Sequence, residues 1–330
     1  MVTISDIARE LGVTPSTVSR ALSGSPRVSN STREAVLGKA AELGYEPNLM
    51  ASSLRRGHSA IVGIIVPRIH REFFSNVIGG AESVLNAAGY SVLICQSHER
   101  SEDELDAIHT LRKNQVAGIL MSHAIETSDP ASIAEAIGSI PLVQFDRVFR
   151  TLPGAKVIND NFEGAYAATR HLISNGYKRI GTLAGALSCE AFRDRLAGYR
   201  KALEDSGIAF DESLVFPDCI VREAGYEAGF KALEKGCDAL YSAGDFSALG
   251  AIEALKSKGV SFPDDFGIVG TADETFTRVM SPSLSSLGQQ AYEMGRTAAK
   301  AFLFRTGAIS VISMILNIRE SSNRNNICQK

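Results

Sequence analysis

Apolar residues in the first 45 positions recur every three to four places. Ile7, Ala8 and Leu11 make one stripe, Val18, Ala21 and Leu22 a second, and Val36, Ala40 and Leu43 a third. That period predicts three short amphipathic helices around one small core. The polar residues between them punctuate the pattern. Thr3-Ile4-Ser5-Asp6 reads as a capping box and Gly12 as a stop. Thr14 offers an N-cap with Pro15 at the first helical position, and Ser31-Thr32-Arg33-Glu34 reads as the box opening a helix that ends at Gly44.

From Ile61 the texture changes to short apolar runs alternating with helical stretches. The runs at 61–67, 90–96, 117–123, 141–146, 179–185, 239–244 and 266–273 predict strands. Helices are expected at 73–88 ending at Gly89, at 161–175 ending at Gly176, and at 245–257 before Gly259. Strands joined by single helices imply parallel sheets covered on both faces. About 270 residues with so many strands exceed one doubly wound sheet, so two lobes are expected. Between head and body, residues 47–57 could form only about two helical turns, too few to be stable alone; this segment is a candidate for folding on contact with a partner.

Composition narrows the classes. Apolar residues are 45% and charged residues 22% of the 330, the balance of a folded globular chain. No run suits a membrane span, and the charged N-terminus does not read as a signal peptide, so a cytoplasmic protein without membrane partners is expected. Five scattered cysteines without C-x-x-C spacing predict reduced thiols and no zinc site, and no cofactor is expected. The net charge of −3 conceals an asymmetry: residues 1–60 hold seven Lys and Arg against five Asp and Glu, a net +2, leaving −5 for the rest. A basic head on an acidic body is the sign expected of a nucleic-acid binder.

Helix, Gly12, then a helix from Thr14 is the spacing of a helix-turn-helix. Its second helix carries Pro15, Ser16, Thr17, Ser19 and Arg20 outward without an acidic residue, a set suited to base edges and phosphates. On spacing alone, a three-helix bundle that docks on some other partner remains open. No G-x-S-x-G elbow, P-loop, G-x-G-x-x-G after a strand or H-E-x-x-H is present, so an enzyme is not expected.

The run TISDIARELGVTPSTVSRALSGSPRVSNSTREAVLGKAAELGYEPNLMASSLRRGHS resembles the head and hinge of the lactose-repressor/galactose-repressor (LacI/GalR) family. VPRIHREFFSNVIGGAE, VQFDR, NDNFEGAYAATRHLISNGYKRIGTLAG, RLAGYRKAL, GDFSALGAIEALKSKG and MSPSLSSLGQ continue the likeness in the family's order, failing only in the last 20 or so residues. The resemblance implies an α/β chain: an all-α helix-turn-helix head and a two-lobed, periplasmic-binding-protein-like body of parallel sheets. It implies a head at 1–46 and a hinge at 47–59. One lobe is expected from 60–159 plus about 289–314, the other from 160–288 plus about 316–330. Three crossovers are expected, near Asn159–Asn161, Leu287–Gln289 and Met314–Leu316.

The same resemblance implies a dimeric transcriptional regulator, a repressor on a pseudo-palindromic operator, controlled by a sugar or sugar derivative in the interlobe cleft. Ser16, Thr17 and Arg20, with Pro15, match the base-reading positions; Ser5, Ser19, Ser29, Asn30 and Thr32 match phosphate-touching ones. Leu54, with Arg55 beside it, matches the hinge leucine that wedges between base steps. Cleft candidates are Phe73, Phe74, Ser75, Asp146, Arg147 and Asp160, then Arg195, Ile220, Asp245, Phe246 and Asp273. The chain departs from the family pattern at Ala272, where a carboxylate is usual, and at Gly244, where many members have Asn. Cys189 replaces the arginine typical of purine-binding members, which argues against a nucleobase effector. These departures keep a second reading open, a DNA-binding architectural or protein-controlled regulator whose body binds no small effector.

Overall fold

The computed structural model describes residues 2–22, 24–45 and 59–324. The chain divides into two compact units, Met1–Ser59 and Ala60–Lys330. The hinge residues Leu54 and Arg55, and Cys328, lie outside the described residues.

The first unit is three helices: α1 (Ile4–Leu11), α2 (Pro15–Leu22) and α3 (Asn30–Glu42). The apolar stripes meet in one core of Ile7, Ala8, Val18, Ala21, Val28, Val36 and Ala40. Thr3 and Asp6 form the expected capping box, each side chain taking the other's backbone N–H. Gly12 closes α1 at φ 63°, a left-handed conformation that costs glycine nothing. The third cap differs from expectation. Ser29, not Ser31, accepts the Thr32 N–H at 3.2 Å, so α3 begins two residues earlier. Ser29 has the extended backbone of an N-cap, with φ −60° and ψ 153°.

The second unit holds β1 (Ile61–Val66), α4 (Glu72–Ala87), β2 (Ser91–Gln96), α5 (Ser101–Lys113), β3 (Gly118–Met121), α6 (Pro130–Ile137), β4 (Leu142–Phe145) and β5 (Ala155–Asn159). There follow α7 (Asn161–Ser174), β6 (Ile180–Leu183), α8 (Glu190–Glu204), β7 (Val215–Phe216), α9 (Arg222–Glu234), β8 (Ala239–Ser242), α10 (Asp245–Ser257) and β9 (Gly267–Ala272). Last come α11 (Phe276–Val279), β10 (Ser285–Gly288), α12 (Ala291–Leu303), β11 (Ile309–Ile312) and β12 (Ile315–Asn317). Two six-stranded sheets result, ordered β11-β5-β4-β3-β1-β2 and β12-β10-β9-β8-β6-β7. Every pairing is parallel except β10 with β12, an antiparallel edge.

Strand β1 shows why the alternation is buried on both faces. Val62, Ile64 and Val66 join the core with α4 and α12, while Ile65 faces Ile108, Leu111 and Ile133 of α5 and α6. The second sheet repeats the scheme, with α9 and α10 on one face and α7 and α8 on the other. The chain leaves the first sheet after β5, returns after β10 and leaves again after β11. Asn159 and Gln289 exchange hydrogen bonds across two of these strands, at 2.9 and 3.1 Å. Asp160 ties in the third by accepting the Met314 N–H at 2.7 Å.

Helix pairs pack on these sheets at glycine contacts. A Cβ on Gly295 would collide with the Val77 carbonyl, and one on Gly250 with the Arg222 carbonyl. Backbone cannot yield as a flexible side chain can, so Gly295→Ala is expected to destabilise the body by roughly 1–3 kcal/mol. Chemical unfolding measures this; an unchanged midpoint would show that α4 and α12 have slack.

Candidate functional site

Helix α2 carries the outward set predicted for it. Pro15, Ser16 and Arg20 are exposed, Thr17 and Ser19 half-buried, while Val18 and Ala21 hold the helix to the core. The Thr14 hydroxyl lies 2.9 Å from both Ser16 Oγ and Thr17 Oγ1, which organises the start of the helix. Ser5 on α1, and Ser29 and Asn30 at the start of α3, are exposed, with Thr32 half-buried behind them. The α2 sequence PSTVSRAL has no carboxylate to repel a polyanion.

In the body a cleft of about 700 Å³, mouth included, opens between the sheets. Its walls come from the carboxyl ends of strands and the helix starts that follow them, the crevice where open α/β sheets take ligands. From the first lobe come Arg68, Arg71, Phe73, Phe74, Glu99, Asp146 and Arg147. From the second come Phe192, Arg195, Ile220, Asp245, Phe246 and Glu274, with Gly244 and Ala272. Eight of the eleven residues expected at the cleft are therefore together.

The other three are elsewhere. Ser75 is exposed on α4 and donates to the Glu72 carbonyl. Asp160 braces the crossover, its Oδ1 accepting the Met314 N–H, and does not line the cleft. Asp273, with φ 56°, turns its carboxylate to Arg319 at 2.6 Å and Arg278 at 2.8 Å, and lines a separate groove. Ala272, beside it, is the residue that meets the cleft. Sequence reasoning missed Arg68, Arg71, Glu99, Phe192 and Glu274, which sit in charged turns or at helix starts.

Charges in the cleft are close together and mostly buried. Glu99 binds Arg147 at 2.6 Å and lies 3.5 Å from Arg68, and Asp146 is 3.8 Å from Arg147. Arg195, 5% exposed, donates to Asn161 Oδ1 at 2.8 Å and to the Ala243 carbonyl at 2.9 Å. Asp245, 1% exposed, accepts from Ser286 Oγ at 2.6 Å and from the Glu274 N–H at 2.9 Å. Gly270 makes room for that carboxylate, since a Cβ there would collide with Oδ1. Burial pushes the Asp146 carboxyl above the usual range, against the pull of Arg147 and Arg195. Burial likewise lifts Asp245 to about 6, although Ser286 and the Glu274 N–H hold it down. Glu274 rises to about 7, through burial first and then the negative charges of Asp245 and Glu72.

Contacts from lobe to lobe rim the cleft. Glu72 accepts the Thr275 N–H at 2.7 Å and its hydroxyl at 2.6 Å. Arg150 donates to Glu190 at 2.7 Å, and the Arg71 guanidinium carbon lies 3.7 Å over the Phe246 ring.

Two family descriptions cover nearly the whole chain. Residues 3–48 match the model "Bacterial regulatory proteins, lacI family", and residues 59–320 match "Periplasmic binding proteins and sugar binding domain of LacI family". The chain belongs to the LacI family. It is accordingly a helix-turn-helix DNA-binding transcriptional regulator with a ligand-binding body. The repressor PurR of Haemophilus influenzae (strain PittEE) is 33% identical over 92% of this chain and 91% of its own. The regulator DegA of Bacillus subtilis (strain 168) is 30% identical over 91% of each. Among solved structures, the lac repressor dimer bound to operator and an anti-inducer superposes with TM-score 0.86 at 27% identity, over 97% of this chain and 99% of that one. The complex of the regulator CelR with cellobiose gives 0.73 at 28% identity, over 97% and 100%. Among the described residues no helix is long and apolar enough to cross a membrane, and no His, Cys, Asp and Glu cluster could hold a metal ion.

The raised carboxyls of this LacI-family cleft make stability depend on pH. Glu274 moves from 4.5 to about 7 on folding, so the folded state binds its proton more tightly. Its contribution is whole below pH about 4.5 and is lost as pH rises through about 7, on the order of 3 kcal/mol. Glu274→Gln should therefore gain on the parent as pH climbs from 5 to 8. Melting curves in matched salt test this, and parallel pH profiles for the two proteins would refute it.

Proposed function

We propose that this chain is a repressor whose dimer binds a pseudo-palindromic operator, and whose operator affinity is set by a polyol, a sugar or sugar derivative, in the interlobe cleft. The observation that carries the effector reading is the cleft itself. Aromatic rings of Phe73, Phe74, Phe192 and Phe246 stand beside buried Asp146 and Arg195. Rings take the C–H faces of a polyol while the ionised groups take its hydroxyls. Gathering buried ionisable groups and rings at the mouth between two lobes is costly, and a bound polyol would offset that cost. We read the protein as a regulator and not an enzyme, acting in the cytoplasm where its DNA is.

At the operator, Ser16, Thr17 and Arg20, with Pro15, face the major groove, Arg20 pairing with a guanine edge. Ser5, Ser19, Ser29, Asn30 and Thr32 hold phosphates, fixing register without reading sequence. Leu54 and Arg55 enter the minor groove, Leu54 as the wedge that kinks the centre of the site. The domain division follows: a head at 1–46, a hinge at 47–59 and two lobes that exchange the chain three times. Two heads then span half-sites one helical turn or a multiple apart. Ligand shifts the angle between lobes, and a hinge helix too short to persist alone responds by folding or unfolding.

Two measurements test this. Arg20→Ala should relax base preference at one position of each half-site, costing about 1–3 kcal/mol of discrimination; an unaltered consensus in binding-site selection would refute the assignment. Leu54→Ala should weaken operator binding sharply while the melting curve of the body stays put, and unchanged affinity would remove the wedge from the mechanism.

A further inference from the structure

The charges lining the cleft do not all find partners within the protein. Glu99 is engaged by Arg147 and Arg68, and Asp146 stands beside Arg147. Asp245 is held by Ser286 and a backbone N–H. Among the described residues, two guanidinium groups of the cleft, Arg195 and Arg71, have no carboxylate within ion-pair distance. Arg195 is buried, and among the described residues its hydrogen bonds go to neutral oxygens, Asn161 Oδ1 and the Ala243 carbonyl. Arg71 is half-buried, and among the described residues its guanidinium donates no hydrogen bond and joins no ion pair.

Arg71 is nonetheless held in place. Its guanidinium carbon sits 3.7 Å over Phe246, whose ring packs edge-on against Phe276 at 5.0 Å. Cation–π stacking uses the face of the guanidinium and leaves its N–H edge unengaged. That edge is a rigid fork whose spacing fits two oxygens of a carboxylate or a phosphate. Glu274 lies across the cleft from Arg71, but among the described residues neither it nor any other carboxylate comes within ion-pair distance of that guanidinium.

Space is available beside this stack. Gly244 immediately precedes Asp245 and Phe246 and lines the cleft. A Cβ there would meet nothing nearer than Ser247 Oγ at 3.6 Å, and Ala272 opposite is also small. Where a larger polar side chain could stand, the cleft leaves room for an additional ligand group.

Resting on the effector reading above, we propose that the effector is an acidic polyol, and that Arg71, stacked on Phe246, receives its carboxylate or phosphate. A neutral sugar satisfies Asp146 and Arg195 through hydroxyls and leaves the Arg71 edge unmet. An acidic one satisfies all three, and an anion beside a half-buried guanidinium makes the stronger class of hydrogen bond.

The test is calorimetry on the full-length dimer at pH 7.5 and constant ionic strength. The probes are glucose and galactose, the matching hexuronates, and the hexose 6-phosphates. The expected result is that a hexuronate or a hexose phosphate binds about ten-fold or more tightly than its neutral parent. The two acidic arms tell the carboxylate from the phosphate. Arg71→Ala should cost the acid about ten-fold more affinity than it costs the neutral parent, so that the margin disappears, and Arg71→Lys should restore part of it. Neutral sugars binding as well as the acids, an equal loss for both in Arg71→Ala, or no binding by any probe would each overturn the proposal. A neutral sugar that binds and changes operator affinity rejects the acidic ligand while leaving the effector reading intact. If no probe binds or moves operator affinity, the effector reading falls with it.

Discussion

Everything in the body hangs on three strand-to-strand passages between the lobes. A single linker would let the lobes tumble; three side by side restrict them to opening and closing. Asn159 and Gln289 trade amide hydrogen bonds between the first two passages, and Asn159 also reaches the Ile312 carbonyl beside the third. Asp160 then fastens Met314. These amides are buried, so an unpaired one would cost roughly 1–3 kcal/mol. The passages therefore move as one bundle, and the freedom left to the lobes is a hinge about it.

That constraint explains the distribution of charge. Residues at the carboxyl ends of strands in both sheets are brought face to face, and closing the lobes removes water from all of them at once. An isolated ion could not stay charged there. The first lobe answers with a chain of contacts from Arg68 through Glu99 and Arg147 to Asp146. The second answers with hydroxyls, backbone groups and carboxyls that hold their protons, Asp245 to about 6 and Glu274 to about 7. Strain is accepted in the same places: Glu99, Asp146 and Ala272 all have positive φ, at 67°, 59° and 122°. Non-glycine residues in that region persist where surrounding structure over-determines them, often at ligand sites.

Much of this was legible in the sequence, for physical reasons. Strands such as IVGIIV are buried on both faces and announce themselves by apolar content alone. Strands β5 (AKVIN) and β10 (SSLG) were missed because polar residues interrupt them; Lys156 is buried by donating to the Leu152 and Gly154 carbonyls, which no periodicity reveals. The outward face of α2 followed directly from where Val18 and Ala21 must point. The cleft was harder. Phe74, Asp146 and Arg195 were found, but Arg71 and Glu274 lie in charged turns that read as solvent-exposed until the facing lobe covers each of them. Asp160 and Asp273 failed for the opposite reason, since each stands next to the cleft in sequence while its carboxylate is claimed by Met314 or by Arg319 and Arg278.

The rim contacts decide how a ligand can matter. Arg150 with Glu190 is a half-exposed ion pair, which contributes about 0–1 kcal/mol, and the hydrogen bonds of Glu72 to Thr275 lie at the rim, where water competes for them. The lobes are therefore not locked shut by the protein itself, and the closed arrangement lies within reach of a small bias. A ligand that touches only one lobe supplies no bias, because it binds open and closed forms equally. One that reaches from Asp146 and Arg147 across to Arg195 and Phe246 binds the closed form better, by the contacts it loses on opening. Coupling of about 1–3 kcal/mol is typical of allosteric proteins, and two or three such hydrogen bonds are enough to provide it. On the proposed mechanism, the weakness of the rim is what leaves the angle between the lobes to be set by occupancy of the cleft and not by the protein's own contacts.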